Sequence, residues 1–267
     1  MTQSIITSTR NPRIVEARKL TQRKHRQAQG RFLVEGLQLL HMALDGGWQP
    51  AEVFYSADLM TGTTAPALLT RFEQAGATLL PTSAEVLRGL SDRETPQGLV
   101  ATFASQQHAL ESLPTTGLLL VLDRLQDPGN LGTLLRTADA AGASGVILIT
   151  PAADPFDPKA VRASMGSLFQ VPLVTVEAVD TLFDWLQAHH IRPVGADAHR
   201  GQAWTETDWR GVLALVLGNE ARGLSEDTAA RITDWTFLPI HGKADSLNVA
   251  IAGAVLLYSW VASNPPR

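Results

Sequence analysis

There is no cysteine in these 267 residues. Disulfides, thiolate-ligated zinc, iron–sulfur clusters and cysteine nucleophiles are therefore excluded. No apolar run is long enough to span a bilayer: the longest, residues 249–262, is interrupted by Gly253 and Ser259. The opening MTQSIITSTRNPR carries no apolar h-region. No secretory signal is expected from it, and a cytoplasmic location is the default. The seven histidines show no metal-ligand spacing, so no metal is expected. Neither a G-x-x-x-x-G-K-[ST] loop nor a G-x-G-x-x-G fingerprint occurs, which argues against a dedicated pyrophosphate cradle.

What is present is an ordinary globular composition, 45% apolar with a net charge of −4. The charge is uneven. Arg10, Arg13, Arg18, Lys19, Arg23, Lys24, Arg26 and Arg31 face only Glu16 and Glu35 within the first 36 residues. That segment carries +6 and the remainder −10. A basic end on an acidic body points to a polyanionic partner or to a solvated helix face, with the scarcity of acids favouring nucleic acid.

Along the chain, Asn11-Pro12 opens a helical pattern over 13–29 that Gly30 ends. Short apolar runs (FLVEG, EVFYS, ATLLP, GLVATF) then alternate with helical stretches, as in a small α/β unit. Residues 104–116 are polar and irregular and mark a domain boundary. Beyond them the apolar runs become continuous: LLLVLD, VILIT, PLVTV, LALVLG and WTFLPI. Runs of this kind are strands buried on both faces of a parallel sheet. Helices are expected between them at 131–141, 158–164, 180–189 and 225–232, with a last one at 246–261. The pattern is α/β and doubly wound, and such sheets bind ligands beyond the carboxyl ends of their strands.

Three segments follow strand ends. After LLLVLD, the turn Asp127-Pro128-Gly129-Asn130 leads into a helix that Asn130 is suited to cap, with Arg136 on its second turn. On physics alone this is a capped core helix bearing an exposed arginine. After LALVLG, two glycines bracket a glutamate in Gly218-Asn219-Glu220-Ala221-Arg222-Gly223. Backbone could approach a ligand closely there, although a plain strand-to-helix loop looks the same. After WTFLPI the strand is expected to reach Ile240, with Ser246 capping the last helix. In that helix Leu247, Ile251 and Val255 read as a core stripe, while Ala250, Gly253 and Ala254 permit close packing.

Taken in order, NLGTLLRTA, LVLGNEARGLS and LPIHGKADSLNVAIA resemble the SpoU (TrmH) branch of the SPOUT RNA methyltransferases, in register over 118–261. The preceding NPRIVEARKL and RFLVEGLQLL resemble the ribosomal-protein-like substrate-binding domain often fused ahead of that catalytic domain. The resemblance implies an RNA-binding domain over 1–105 and a methyltransferase domain over 117–267. It further implies a parallel sheet closed by a trefoil knot, and a homodimer with the active site at the subunit interface. The implied cofactor is S-adenosylmethionine, and the implied product is a 2′-O-methylated ribose in RNA, 23S ribosomal RNA in preference to transfer RNA. By the same resemblance Leu217, Gly218, Ile240, Ser246 and Leu247 border the cofactor, and Asn130, Arg136, Glu220 and Asn248 serve catalysis. Arginine stays protonated in proteins, so Arg136 is expected to hold phosphate and stabilise a developing alkoxide instead of accepting a proton. A hydroxyl residue often stands two places after the last asparagine in the family; here that place is Ala250. A non-catalytic RNA-binding protein and a nucleotide-dependent oxidoreductase are the rival readings, and the missing glycine fingerprint opposes the second.

Overall fold

The computed structural model describes residues 4–265; residues 1–3, 266 and 267, the outer ends of the two expected domains, lie outside the described residues. The chain forms two units. The first runs to Gln106 and takes in Phe156–Phe169; the second comprises Gln107–Pro155 and the chain from Gln170 onward.

The first unit holds four strands, β1 (Arg31–Glu35), β2 (Pro50–Tyr55), β3 (Thr78–Pro81) and β4 (Leu99–Ala104), in the order β1-β4-β2-β3. Only β2 and β3 pair in parallel. Phe32, Trp48, Phe103, Phe156 and Phe169 form an aromatic cluster with ring centroids 4.6 to 6.3 Å apart. The indole N–H of Trp48 donates to the carbonyl of Phe169 at 3.2 Å. Trp48 is thus a packing residue, and its polar handle is satisfied as buried tryptophans require.

The single helix expected over 13–29 is two helices, α1 (Pro12–Lys19) and α2 (Arg23–Gln29). Between them the backbone of Gln22 is extended, at φ −106° and ψ 132°. Arg26, only 4% exposed, donates to the carbonyls of Leu20 and Thr21 at 2.9 and 3.0 Å and pairs with Asp157 at 3.3 Å. A buried guanidinium that satisfies the carbonyls freed at the break favours the break over a continuous helix. Arg13 and Arg31 both pair with Glu52. The basic end is therefore less available to a partner than its composition implies.

The second unit is a seven-stranded sheet, parallel at every pairing. Its strands are β5 (Leu118–Asp123), β6 (Gly145–Ile149), β7 (Leu173–Val176), β8 (Arg192–Ala196), β9 (Gln202–Ala203), β10 (Leu213–Leu217) and β11 (Asp234–Phe237). Their order is β7-β6-β5-β10-β8-β11-β9. Every residue of β5, β6 and β10 is buried, as their unbroken apolar runs require. The strand β8, absent from the sequence reading, contains Pro193. Its pairing with β11 begins only at Val194, so the missing N–H of Pro193 falls where no neighbour asks for it. The last strand stops at Phe237 instead of Ile240, just short of Pro239. Between β8 and β9 the chain crosses β11 so tightly that a Cβ on Gly201 would lie 2.0 Å from the carbonyl oxygen of Trp235.

Besides α3 (Leu37–Asp45), α4 (Thr64–Gln74), α5 (Ala84–Arg88), α7 (Pro158–Ala163), α8 (Val179–Ala188) and α9 (Glu226–Ala230), two helices position the site: α6 (Pro128–Ala140) and α10 (Val249–Ser263), which pack on each other. Two caps differ from expectation. Asp127, not Asn130, caps α6, because Pro128 takes the first helical position. Asn248, not Ser246, caps α10. The expected core stripe is also displaced: Leu247, Ile251 and Val255 are 43%, 57% and 37% exposed, and Tyr258 is 49% exposed. The buried face is Ala250, Gly253, Leu256 and Leu257. A Cβ on Gly253 would stand 2.5 Å from Leu134 and 2.8 Å from Leu217. Such close approach of the helix axis selects the small-residue face and turns the larger side chains outward. No helix among the described residues is long and apolar enough to cross a membrane.

Candidate functional site

The loop after β10 is held by its own asparagine. The Asn219 side chain accepts from the N–H groups of Ala221 and Arg222 at 3.0 and 3.2 Å and donates to the carbonyl of Arg124 at 2.9 Å. The backbones of Asn219 and Gly223 exchange two hydrogen bonds. Gly223 sits at φ +69°, and a Cβ on Gly218 would fall 2.2 Å from the Gly223 carbonyl carbon. Only glycine fits at Gly218, and the loop closes into a narrow turn.

That turn presents Glu220 to the start of α6. The carboxylate accepts from the backbone of Gln126 at 3.3 Å, from the backbone of Asp127 at 3.1 Å and from the side chain of Asn130 at 3.1 Å. Asn130 in turn accepts from Asn248 at 3.0 Å. The oxygen of Asn248 is engaged by the N–H groups of Ala250 and Ile251. Each amide orientation is thereby determined by the next: the cap fixes Asn248, Asn248 fixes Asn130, and Asn130 must donate to Glu220. Partial burial pushes the Glu220 carboxyl up, but these donors outweigh it and hold it below its ordinary value. Glu220 is a carboxylate at neutral pH.

Two cavities flank the turn and share Asn219, Glu220, Ala221 and Gly223 as a wall. The larger, about 1100 Å³, is lined by Asn130, Glu220 and Asn248 together with Arg124 and Arg222. The smaller, about 380 Å³, takes in Leu217, Gly218, Ile240, Ser246 and Leu247. All five residues expected at the cofactor thus line one cavity, and three of the four expected in catalysis line the other. Arg136 lines neither. It stands exposed on α6 and makes no hydrogen bond or ion pair with the described residues.

Residues 117–258 match the SpoU rRNA Methylase family, and residues 11–101 match an MRM3-like substrate binding domain. The chain belongs to the SpoU rRNA methylase family. This SpoU member is 32% identical to the 23S rRNA (guanosine(2553)-2′-O)-methyltransferase RlmP of Bacillus subtilis, over 95% of its own length and 97% of that protein's. It is 33% identical to a 23S rRNA (uridine(2479)-2′-O)-methyltransferase of Streptomyces viridochromogenes, over 95% and 91%. An AdoMet-bound rRNA methyltransferase from Sinorhizobium meliloti superposes with a TM-score of 0.89 at 34% identity, covering 98% of this chain and 99% of that one.

The SpoU site also contains residues that sequence reasoning missed. Asp197 and His199 line the smaller cavity, with the His199 N–H donating to Asp197 at 2.8 Å. They follow β8, the strand hidden by Pro193, so the rule that ligands sit after strand ends had nothing to act on. Arg124 and Arg222 lie inside motifs that were read for other residues.

Proposed function

We propose that the chain transfers a methyl group from S-adenosylmethionine to the 2′-hydroxyl of a ribose in ribosomal RNA. What carries this reading is the pair of cavities divided by the Glu220 turn, one of cofactor size and one large and open. The smaller, near 380 Å³, lies within the roughly 300–1000 Å³ usual for small-molecule sites. Its lining is apolar at Leu217, Phe237, Ile240 and Leu256, with a few polar groups at Asp197, His199 and Ser246. This suits a ligand with an adenine, a thioether-like stem and a polar amino-acid end. Gly218, Ile240, Ser246 and Leu247 would hold it. When bound, the cofactor supplies an electrophilic methyl on a sulfonium, so positioning is most of what the protein must add.

The chain's own groups divide that labour. Glu220, Asn130 and Asn248 form a fixed rail along the larger cavity, where a ribose and its neighbours would lie. A second copy of the chain completes the site. The exposed stripe of Ile251, Val255 and Tyr258 on α10, with Leu247 just ahead of its cap, is the surface it would cover, and Arg136 stands on the adjoining α6. From there Arg136 would stabilise the developing alkoxide in the partner's cavity while the 2′-hydroxyl proton passes to water or a neighbouring phosphate, since an arginine cannot serve as the base. Residues to about 105 present the RNA, residues 117–267 carry the transfer, and a knotted thread after β11 fits the tight crossing at Gly201.

Calorimetric titration with S-adenosylmethionine, followed by transfer of tritiated methyl to ribosomal RNA and mapping of ribose methylation, tests the proposal. Micromolar binding and label at a 2′-oxygen are expected. A protein that ignores the donor, or labels only transfer RNA, overturns the reading.

A further inference from the structure

Arg124 occupies a position that arginine does not favour. It follows directly on β5, and its φ is +56°, in the left-handed region where asparagine and glycine are at ease and longer side chains are strained. The backbone holds it there. Its N–H donates to the carbonyl of Ile149 at 3.1 Å, and its carbonyl accepts from Asn219 at 2.9 Å and from Gln126 at 3.1 Å. Strain of this kind persists at sites where the side chain has a use.

Nothing in the chain uses the side chain fully. Among the described residues its guanidinium makes only two loose ion pairs, with Asp123 and Asp227, each at 3.7 Å. Neither is a hydrogen bond, and the buried Nε has no hydrogen-bond partner among the described residues. Asp123 is fully buried, takes the N–H of Ser225 at 2.7 Å, and leaves its other oxygen unmatched beside Arg124. The guanidinium is thus steered by charge while its N–H fork stays open. It lines the larger cavity, as does Arg222 from the Glu220 turn, whose side chain makes no hydrogen bond or ion pair with the described residues. The acids of the same cavity are engaged: Glu220 by three donors, and Asp127 by the N–H of Asn130 at 2.8 Å. An anion entering there meets Arg222, and Arg124 held only loosely by Asp123 and Asp227, beside two carboxylates already engaged by donors.

We propose that Arg124, together with Arg222, binds a backbone phosphate of the RNA next to the ribose that receives the methyl. The inference rests on the methyl-transfer reading above. A guanidinium fork suits phosphate oxygens, and such contacts set the register of the RNA without reading its bases.

The test uses the full chain, S-adenosylmethionine and unmodified 23S ribosomal RNA transcribed in vitro. Arg124→Asn places at that position a residue that tolerates the left-handed region and removes the charge. For this variant KM for RNA should rise about tenfold and the slope of log affinity against log salt should shrink by about 0.7, one phosphate contact on a single strand. Its kcat and donor affinity should stay within about twofold, while its Tm should fall, because the loss of the arginine charge leaves the buried Asp123 carboxylate without its cation and outweighs the strain relieved. Arg222→Gln should change KM and the salt slope in the same direction. Arg210→Gln, which removes an exposed charge outside the cavity, should change neither. Unchanged KM and salt slope in Arg124→Asn, or an equal change in Arg210→Gln, overturns the proposal. So does loss of donor affinity in Arg124→Asn, which would make Arg124 a support of the loop. A wild-type chain that methylates no RNA sinks the underlying reading instead, and that is seen before any variant is made.

Discussion

Asn248 donates its side-chain amide to the Oδ1 of Asn130 at 3.0 Å because its own oxygen is committed to the first turn of α10. One residue therefore caps a helix and sets the polarity of the rail that ends at Glu220. Asn248→Asp separates the two roles. An aspartate still caps, and its charge suits the helix N-terminus, but it has no N–H to give Asn130. Tm should hold within about 2 °C while methyl transfer falls tenfold or more. Asn248→Ala should lose both, with about 1 kcal/mol of stability removed with the cap. Thermal melts beside single-turnover assays distinguish the two.

Glu220 gives a pH-dependent signature. Its folded-state carboxyl lies below its ordinary value, so the stability it contributes is fully present above the unfolded-state value of about 4.3 and is lost as pH falls through the folded-state value. The difference in Tm between wild type and Glu220→Gln should be constant from pH 6 to 8 and should close only below about pH 4.3. A difference that varies between pH 6 and 8 would contradict the hydrogen-bond assignment.

At Gly218 the obstacle to a side chain is backbone, 2.2 Å and 2.4 Å from the position a Cβ would take. Backbone cannot swing aside as a flexible side chain can. Gly218→Ala should shift the turn, weaken donor binding at least tenfold by calorimetry, and lower Tm by several degrees. Binding at wild-type strength would show that the turn does not form the cofactor wall.

The exposed stripe on α10 predicts an assembly. Ile251→Asp lies on a face that is 57% exposed at that residue, so the isolated chain should fold with little loss, roughly within 0.5 kcal/mol. Light scattering should then report a dimer for wild type and a monomer for this variant, and methyl transfer should fall with the dimer. Wild type running as a monomer at micromolar concentration would exclude the shared site.

Within the basic N-terminal segment, burial separates structural from surface cations. Arg26→Ala leaves the carbonyls of Leu20 and Thr21 without this donor and removes the cation beside the partly exposed Asp157, which should cost about 2–3 kcal/mol. Lys24→Gln, at an exposed position, should leave Tm unchanged and reduce only RNA affinity. Chemical denaturation of both variants checks the contrast.

The strands of the parallel sheet were legible because residues buried on both faces must be continuously apolar, as in LLLVLD and LALVLG. β8 was not, since Pro193 and Gly195 break that rule; the proline survives because of where β11 begins, which only the register reveals. The cap of α6 was recoverable: Pro128 at the first helical position already pointed to Asp127. That of α10 was not, because Ser246 and Asn248 are both competent and the partnership with Asn130 decides between them. Periodicity located an apolar stripe on α10 but could not say what covers it. The close approach at Gly253, a three-dimensional matter, turned that stripe outward. The site residues came from motif order, and the structure gathers all but Arg136 around one turn.

That turn, Gly218 to Gly223, has a consequence for how the two ligands affect each other. A partition this thin, stitched end to end by Asn219, has no slack with which to yield to one chamber and spare the other. A shift of the turn on loading one chamber would therefore reshape the other, and by linkage whatever factor the methyl donor then imposed on the nucleic acid's affinity, the nucleic acid would return in equal measure.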